Sequence, residues 1–421
     1  MNPNSTPKRT RSSLLVLAIL VGTAAPGLGQ QPDLSRMVFV GDSLTAGFQN
    51  GSLHEDYQPD GYAKLIAEQA RVSLPLPSIL APGIPNTLIL IDPGPPPVLG
   101  QAGGVSAGRV DPFLQAMNLA VPGHDTLDAL ITRPDFLFDD LTDLVLGLPG
   151  VFLGISRSQV EWAEALDPTV VVVWLGSNDT LGAALAADAT LVTPPAVFAA
   201  AFQEVMARMS ATGALLVVAN VPDVATIPFL TSTEEVAELL GLPLDLIAAL
   251  LGIVPGDFVV PDAFPLIGEI LTGLSSGPLP PHVVLDAGEV ALIRAATATF
   301  NSIIAQEASA RNAVFVDIHS FLSQLDTQGS VVNGQRLNTS FLGGIFSLDG
   351  IHPTNTGYAL VANEFIHAMN SQAAAGIPPV NVVQVMRDDP LVLPGVGHPP
   401  ASSAALAGPA AAVLRGILGG H

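Results

Sequence analysis

The sequence of 421 residues contains no cysteine. This absence excludes disulfide bonds, thiolate metal sites and a lipid-modified cysteine at a cleavage point, so the fold must be stabilised by burial of side chains. Charged residues are also scarce, at 12% of the chain, whereas apolar residues make up 49%. This composition is sufficient for a packed core and differs from that of disordered chains.

Basic residues are few. The chain has 15 Lys and Arg but 37 Asp and Glu, which gives a formal net charge of −22 at pH 7. A strongly acidic surface repels phosphate backbones and anionic lipid headgroups. We therefore expect no nucleic-acid partner, and we interpret the charge mainly as a contribution to solubility.

Long apolar runs are missing beyond the N-terminal segment. The apolar stretches 144–156 and 246–260 are interrupted by proline or aspartate, so we expect no stable membrane span in the mature chain. Residues 1–30 combine basic residues at 8–11, an apolar run at 14–21 and mostly small residues thereafter. This pattern predicts a signal peptide over residues 1–30 and a secreted or periplasmic protein. A retained membrane anchor is the alternative, since the apolar stretch can be extended to residue 25.

Strands and helices alternate along most of the remaining chain. Four runs rich in β-branched residues are predicted as buried parallel strands, because their apolar character is continuous: 37–40, 169–175, 214–220 and 313–316. Helical patterns lie at 61–72, 195–212, 287–311 and 355–370. The alternation predicts an α/β fold, a three-layer, doubly wound parallel sheet, whose active groups gather at the carboxyl ends of the strands.

Two stretches interrupt this alternation. Residues 73–111, rich in Pro and Gly, are predicted as a surface excursion with one strand near 88–91. Residues 225–285 contain helical pieces at 233–240 and 243–251, followed by Pro-Gly and Pro-Asp turns, and form either a cap insertion or a helical pair packed on the body. The main domain is predicted over 31–375, and the Pro, Gly and Ala content of 376–421 predicts a loosely packed tail.

A serine stands where the first predicted strand meets a helix start, since residues 41–44 read Gly-Asp-Ser-Leu. The hydroxyl of Ser43 would project from the sheet edge, where helix N–H groups can face a developing anion. Alone, this string is a weak signal, because Asp and Ser are also common helix caps.

An acid and an imidazole stand three residues apart near the other end of the chain, where residues 349–353 read Asp-Gly-Ile-His-Pro. Asp349 could hold one ring nitrogen of His352 and leave the other free to accept the serine proton. The alternative is a turn acid beside a surface histidine, which the presence of the serine motif makes less favourable.

Two further segments could supply donors to an oxyanion. Residues 118–123 read Asn-Leu-Ala-Val-Pro-Gly, and Gly123 could present its backbone N–H there. Residues 176–179 read Gly-Ser-Asn-Asp, and the Asn178 amide could reach the same space. Taken singly, these residues are better explained as a turn glycine and helix caps.

The four blocks together, in this order, resemble the SGNH or GDSL family of esterases and lipases over most of residues 36–370. The resemblance implies a flavodoxin-like α/β/α fold in which Ser43 is the nucleophile, His352 the base and Asp349 the acid that orients it. It also implies an oxyanion hole formed by the N–H groups of Ser43 and Gly123 and the amide of Asn178. We expect neither a cofactor nor a metal ion. Residues 73–111 and 225–285 exceed the compact scaffold of the family.

Other candidate groups are interpreted as structural. His124 and Asp125 adjoin the second block and are interpreted as solvent-facing loop residues rather than substrate contacts. Residues 54–56 read His-Glu-Asp, but no second cluster completes a metal shell. Asp317 and His319 imitate the acid–base pair, but no helix start is predicted after them.

The predicted function is that of a secreted serine esterase or lipase that acts through an acyl-enzyme on a lipid-like or simple acyl ester. The leucines and isoleucines of residues 225–285 would suit an acyl chain. A carbohydrate deacetylase is an alternative, although 2 Trp and 3 Tyr offer few aromatic platforms for a sugar. Two further alternatives are acyl transfer to another alcohol and an inactive binding module. The complete set of site residues argues against the inactive binding module.

Overall fold

The computed structural model describes residues 31–92 and 97–392. Its strands are β1 (Met37–Gly41), β2 (Leu88–Asp92), β3 (Val98–Gln101), β4 (Val170–Trp174), β5 (Leu215–Ala219), β6 (Thr231–Ser232), β7 (Phe258–Val259), β8 (Val284–Leu285), β9 (Val314–Val316), β10 (Ser330–Val332) and β11 (Gln335–Leu337). Its helices are α1 (Ser43–Ala46), α2 (Tyr62–Gln69), α3 (Asp128–Ile131), α4 (Leu141–Leu146), α5 (Gln159–Ala165), α6 (Asn178–Ala186), α7 (Pro195–Ala211), α8 (Thr233–Leu240), α9 (Leu244–Leu251), α10 (Ala263–Leu271), α11 (Ala287–Ala310), α12 (Ile318–Gln328), α13 (Asn355–Ala373) and α14 (Val382–Asp388).

Four parallel strands form the central sheet in the order β1-β4-β5-β9. Each coincides, to within one residue at either end, with a strand predicted from a continuous apolar run. On the outer side of β1, Phe39 forms a parallel bridge with Asn118. With this short segment counted as the second strand, the order becomes 2-1-3-4-5, so the chain first extends the sheet on one side of β1 and then on the other. Such a change of direction is where open α/β sheets bind ligands.

Helices cover both faces of the sheet. Val38 of β1 packs in a core with Phe300 of α11 and with residues of α5 and α7. Phe39, the next residue, packs in a second core with Tyr62 of α2 and with residues of α13. Because successive residues of a strand point to opposite faces, these two cores lie on opposite sides of the sheet. The predicted three-layer, doubly wound α/β fold is therefore confirmed.

Residues 225–285 form a helical insertion with a small antiparallel sheet of β6, β7 and β8. Helices α8 and α9 occupy the two predicted helical pieces, whereas α10 replaces part of a predicted turn region. The Pro-Asp pair at 261–262 comes directly before α10, and Asp262 occupies its N-cap position. Pro265 lies in the first turn of α10, where a backbone N–H has no partner within the helix, so proline is tolerated there.

The other predicted boundaries agree less closely. The excursion over residues 73–111 contains a hairpin of β2 and β3 rather than a single strand. Residues 377–392 are not a loose tail, because α14 packs beside α13 and the carboxylate of Asp389 accepts hydrogen bonds from the N–H and hydroxyl of Thr356 at 2.8 and 2.7 Å. In the described part of the chain, no helix combines the length and apolar character needed to cross a bilayer. The predicted signal peptide and residues 393–421 of the predicted tail lie outside the described residues.

Candidate active site

Ser43 is the first residue of α1, directly after β1 and its N-cap Asp42. Asp42 accepts a hydrogen bond from the N–H of Leu44 at 3.0 Å, which fixes the start of the helix. A Cβ atom at Gly41 would lie 2.2 Å from Thr45 Oγ1 and 2.9 Å from the carbonyl oxygen of Trp174. The glycine is therefore required by this close approach, which sets Ser43 at the carboxyl edge of the sheet.

Three side chains predicted to act together form one hydrogen-bonded line. Ser43 Oγ lies 2.8 Å from His352 Nε2, and His352 Nδ1 lies 2.9 Å from Asp349 Oδ2. All three side chains are buried. The distances fit proton transfer from a serine hydroxyl to an imidazole that a carboxylate orients.

The Asp349 carboxylate is held in its ionised form. Burial acts to raise the pKa of Asp349, but His352 and the N–H groups around the carboxylate outweigh burial, so the pKa lies below its ordinary value. Oδ1 accepts from the N–H groups of Ile351 and His352 at 2.8 Å, and Oδ2 also accepts from Gly51 N–H at 2.8 Å. An ionised carboxylate can only accept, so the proton of the 2.9 Å contact resides on His352 Nδ1. Nε2 then presents its lone pair to the serine hydroxyl.

The turn at residues 347–352 is attached to the segment that follows α1. Asn50 N–H donates to Ser347 Oγ at 3.0 Å, and Asn50 Oδ1 accepts from Leu348 N–H at 3.0 Å. The rings of Phe48 and His352 also lie with their centroids 4.7 Å apart. The sequence analysis predicts none of these contacts, because no local pattern links residues about 300 positions apart. They hold the acid and the base against the element that carries the serine.

The candidate donors for an oxyanion are Ser43 N–H, Gly123 N–H and the Asn178 amide. Gly123 has a φ of +89°, a left-handed conformation that favours glycine. In the described residues, neither Ser43 N–H nor Gly123 N–H donates to a protein acceptor. Asn178 is the first residue of α6 and lines the same cavity as Ser43, and its Nδ2 uses one hydrogen in a 2.8 Å bond to the carbonyl oxygen of His124. The arrangement leaves three donors that could face a tetrahedral intermediate.

His124 is not the solvent-facing loop residue that the sequence analysis predicts, because its side chain is only 1% exposed. Its ring lies between Gln159, at 3.0 Å from Nδ1, and Thr142, at 3.1 Å from Nε2. The prediction considers only the adjacent glycine, whereas α4 and α5, which cover the loop, are distant in sequence. His124 does not line the catalytic cavity.

Asp42 is buried beside the nucleophile, and burial raises its pKa from the ordinary value of 3.8 to about 7. Within residues 31–92 and 97–392, its Oδ2 has no hydrogen-bond partner. The Ser177 hydroxyl is close enough to lower the pKa somewhat, although the pair does not reach normal hydrogen-bond geometry. The proton therefore stays on Asp42 over much of the acidic range.

We expect Asp42→Asn to become progressively more stable relative to the wild type as pH rises from about 4 to about 7. The wild-type unfolded chain releases the proton near pH 3.8, whereas the folded chain keeps it to about pH 7, so rising pH favours unfolding across this window. The difference in free energy of unfolding should change by about 1.4 kcal/mol per pH unit at most. Urea unfolding of both proteins at four pH values measures it, and a constant difference would contradict the assignment.

Ser43 and His352 line a narrow cavity of about 50 Å³. Its other walls are mainly apolar and include Leu44, Trp174, Leu181, Val224, Ile227, Leu322, Leu325, Ile345, Phe346, Ile351 and Val361. Of residues 225–285, Thr226 and Ile227 contribute to the walls. No residue of α8, α9 or α10 lines this cavity, and the buried side chains of these helices pack in a shared core.

A wider cleft of about 720 Å³, with both polar and apolar walls, borders the same two residues, Thr226 and Ile227. Its lining includes Glu238, Asn338 and Arg294. Arg294 Nε donates at 2.9 Å to Asp223, which lines the catalytic cavity. The apolar cavity and the wider cleft therefore share one short segment as a wall.

The remaining candidate residues have structural contacts. His54 Nδ1 accepts from Asp56 N–H at 3.0 Å. Asp317 is the N-cap residue of α12 and accepts from Ser320 N–H at 3.1 Å, so the prediction that no helix starts after it is wrong. The signal for this helix was present, because the apolar residues at 318, 321, 322 and 325 follow a helical period. His319 Nδ1 contacts the Val221 carbonyl oxygen at 3.0 Å, so it forms no imidazole–carboxylate line with Asp317 comparable to that of His352 and Asp349.

A family model described as GDSL-like Lipase/Acylhydrolase matches residues 37–365. This range includes Ser43, Gly123, Asn178, Asp349 and His352. A comparison with curated proteins gives no match.

A comparison with solved structures matches this chain to several esterases and hydrolases. LAE5, an α/β hydrolase from the metagenome of Lake Arreo, is 14% identical, with 80% of this chain and 95% of that chain covered and a TM-score of 0.38. The acetylxylan esterase Axe2 of Geobacillus stearothermophilus is 12% identical, with 79% and 93% covered and a TM-score of 0.36. The psychrotrophic esterase EstA of Pseudoalteromonas sp. is 14% identical, with 80% and 97% covered and a TM-score of 0.33.

Proposed function

Since the chain belongs to the GDSL-like lipase/acylhydrolase family, a family of ester hydrolases, we propose that it hydrolyses carboxylic esters through an acyl-enzyme on Ser43. The observation that carries the proposal is the line of hydrogen bonds from Ser43 Oγ through His352 to Asp349. A fluorophosphonate probe tests it directly, because the probe should attach to Ser43 and stop ester hydrolysis in proportion to labelling.

The chemistry follows from the positions of these atoms. Ser43 Oγ attacks the ester carbonyl while His352 Nε2 takes its proton, and Asp349 stabilises the imidazolium that forms. The carbonyl oxygen becomes negative and receives hydrogen bonds from Ser43 N–H, Gly123 N–H and the Asn178 amide. His352 then returns the proton to the departing alcohol. Water repeats the sequence on the acyl-enzyme, and another alcohol in its place would give acyl transfer.

The apolar cavity supports a short acyl group as the part of the substrate that lies beside Ser43. A volume of about 50 Å³ accommodates roughly four groups the size of a water molecule. Its lining has few polar atoms that could hydrogen-bond a substituted acid. We infer that simple unbranched acyl chains of about four carbons fit better than long lipid chains.

We expect kcat/KM for 4-nitrophenyl esters to peak near the butyryl ester and to fall for chains of about eight carbons or more. Leu325, a buried residue of the cavity wall, is a suitable residue to widen it. In Leu325→Ala the preference should shift towards longer chains, with a ratio of octanoyl to butyryl kcat/KM about tenfold higher than in the wild type.

A matched control separates this effect from general loosening of the protein. Leu279 is as buried as Leu325 but does not line the cavity, so Leu279→Ala should lower stability by a similar amount, about 2 to 5 kcal/mol, without altering the chain-length ratio. Equal ratios in both variants would refute the placement of the acyl chain.

A second candidate function is deacylation of a hydroxyl-rich alcohol such as a sugar, and the polar side chains in the wider cleft beside the cavity favour it. The carboxylate of Glu238 and the amide of Asn338 could bind hydroxyl groups of the alcohol part. Butyryl esters of ethanol and of glycerol or glucose distinguish the two candidates. A large preference for the polyol ester that is lost in Asn338→Ala supports deacylation, whereas equal kcat/KM values support a simple esterase.

We also propose that the enzyme is exported, on the basis of the sequence of residues 1–30. N-terminal sequencing of the protein recovered outside the cytoplasm would identify the cleavage point.

A further inference from the structure

A buried amide connects two loops of the site. Gln159, the first residue of α5, is fully buried, and its Oε1 accepts a hydrogen bond from Gly41 N–H at 3.0 Å. Its Nε2 lies 3.0 Å from Nδ1 of His124. Gly41 ends the strand that leads to Ser43, and His124 follows Gly123. One side chain therefore joins the loops that carry two of the proposed oxyanion donors.

The directions of these hydrogen bonds follow from Gly41. A backbone N–H can only donate, so the oxygen of the Gln159 amide must face Gly41 and its NH₂ group must face His124. Nδ1 of His124 is then the acceptor and carries no proton. A neutral imidazole with an unprotonated Nδ1 has its proton on Nε2, which donates to Thr142 Oγ1 at 3.1 Å.

The same loop is also connected to the third donor. The backbone carbonyl of His124 accepts from Asn178 Nδ2 at 2.8 Å, which orients that amide. Two residues further on, the N–H and hydroxyl of Thr126 donate to Asp179 at 3.1 and 2.8 Å. The loop after Gly123 is thus held to β1 through Gln159 and to the start of α6 through Asn178 and Asp179.

We propose that Gln159 is a positioning residue for ester hydrolysis, which acts through neutral His124 to set Gly123 N–H and the Asn178 amide relative to Ser43. This inference rests on the proposed function of Ser43. Gly41 and His124 occupy both ends of the Gln159 amide, and Gln159 and Thr142 occupy both ring nitrogens of His124, so neither side chain is placed to bind the substrate. Their effect is on the geometry of the donors, and a displacement of about 1 Å in such a site can lower a rate about 100-fold.

The first test is Gln159→Leu, which keeps the size of the side chain and removes both hydrogen bonds. We expect kcat to fall by about 10- to 100-fold while KM changes by less than about threefold, because the donors act mainly on the transition state. The assay is run at a temperature at which circular dichroism shows the variant folded. A kcat within twofold of the wild type under these conditions would overturn the proposal.

A pair of variants at His124 tests the same contact without altering Gln159. In His124→Asn, the side-chain oxygen takes the place of Nδ1 and can still accept from Gln159, whereas the contact with Thr142 is lost. In His124→Gln, the longer amide reaches towards Thr142 and the contact with Gln159 is lost. We expect kcat close to that of the wild type for His124→Asn and a loss like that of Gln159→Leu for His124→Gln. Equal values for the two would contradict the proposal.

Nitrogen NMR of the imidazole provides a readout that a purely stabilising role would not predict. In the wild type, His124 should show an unprotonated Nδ1 and a protonated Nε2, and in Gln159→Leu this preference should weaken. A protonated Nδ1 in the wild type would overturn the inferred network. This spectrum can be recorded whether or not the protein hydrolyses esters. Absence of esterase activity would refute the proposed function, whereas the NMR result alone decides whether the hydrogen-bond network is present.

Discussion

Ser43→Ala is expected to abolish covalent labelling by a fluorophosphonate and to lower kcat for ester hydrolysis by about 10⁴- to 10⁶-fold. The substitution removes the only atom of the hydrogen-bonded line that can form a bond to the acyl carbon. It leaves Gly41 and Asp42 unchanged, so the start of α1 should be retained. Labelling is measured by intact-protein mass spectrometry, and kcat by release of the acid.

Ser177→Ala is the matched control, because Ser177 is a second buried serine on the wall of the same cavity. Among the described residues its hydroxyl has no hydrogen-bond partner, so no imidazole is bonded to it to take its proton. Labelling should persist in Ser177→Ala. If Ser43→Ala retained labelling and Ser177→Ala lost it, the nucleophile would be Ser177 and the proposed mechanism would be wrong.

Asp349→Asn is expected to lower kcat by about 10⁴-fold. Asparagine can keep one oxygen towards the N–H groups of Ile351 and His352, but its NH₂ group then faces His352 Nδ1. The ring would move its proton to Nε2, and an Nε2–H cannot accept the proton of Ser43. Ester hydrolysis is measured well below the unfolding temperature, because loss of the ionised carboxylate also removes an acceptor for Gly51 N–H.

The control for this variant is Asp317→Asn, at a second aspartate that precedes a histidine in sequence. Asp317 bonds to Asn220 and caps α12 away from the catalytic cavity, so its substitution should affect stability rather than kcat. Similar kcat values for Asp349→Asn and Asp317→Asn would exclude Asp349 as the residue that orients the base.

Much of the fold was predictable because its signals are local. Each strand of the central sheet is a continuous apolar run that ends at a turn or motif residue, and a parallel sheet covered on both faces requires such runs. The carboxyl ends of those strands meet at one edge, so a serine after β1 and an amide after β4 could be expected to lie close together. The spacing of Asp349 and His352 within one turn is a local signal of the same kind.

The supporting contacts could not be predicted in this way. Asn50 binds the turn that precedes His352, and Gln159 binds Gly41 and His124, although these partners are separated by about 35 to 300 residues. Single polar residues of this kind carry no periodicity, and their partners are decided only when the layers pack. The start of α10 was missed because a proline in its first turn resembles a loop sequence. The start of α12 was missed although its apolar residues follow a helical period.

The attachment of Asn50 and Gly51 to the turn at 347–352 has a consequence for the time course of the reaction. Acid, base and hydroxyl are already aligned in the free protein, so binding of an ester does not have to assemble them. Product from the first turnover should then appear without delay after mixing with a freely dissolved ester. Any lag seen with an emulsified ester would report how slowly single molecules leave the droplet, and not a rearrangement of the catalyst.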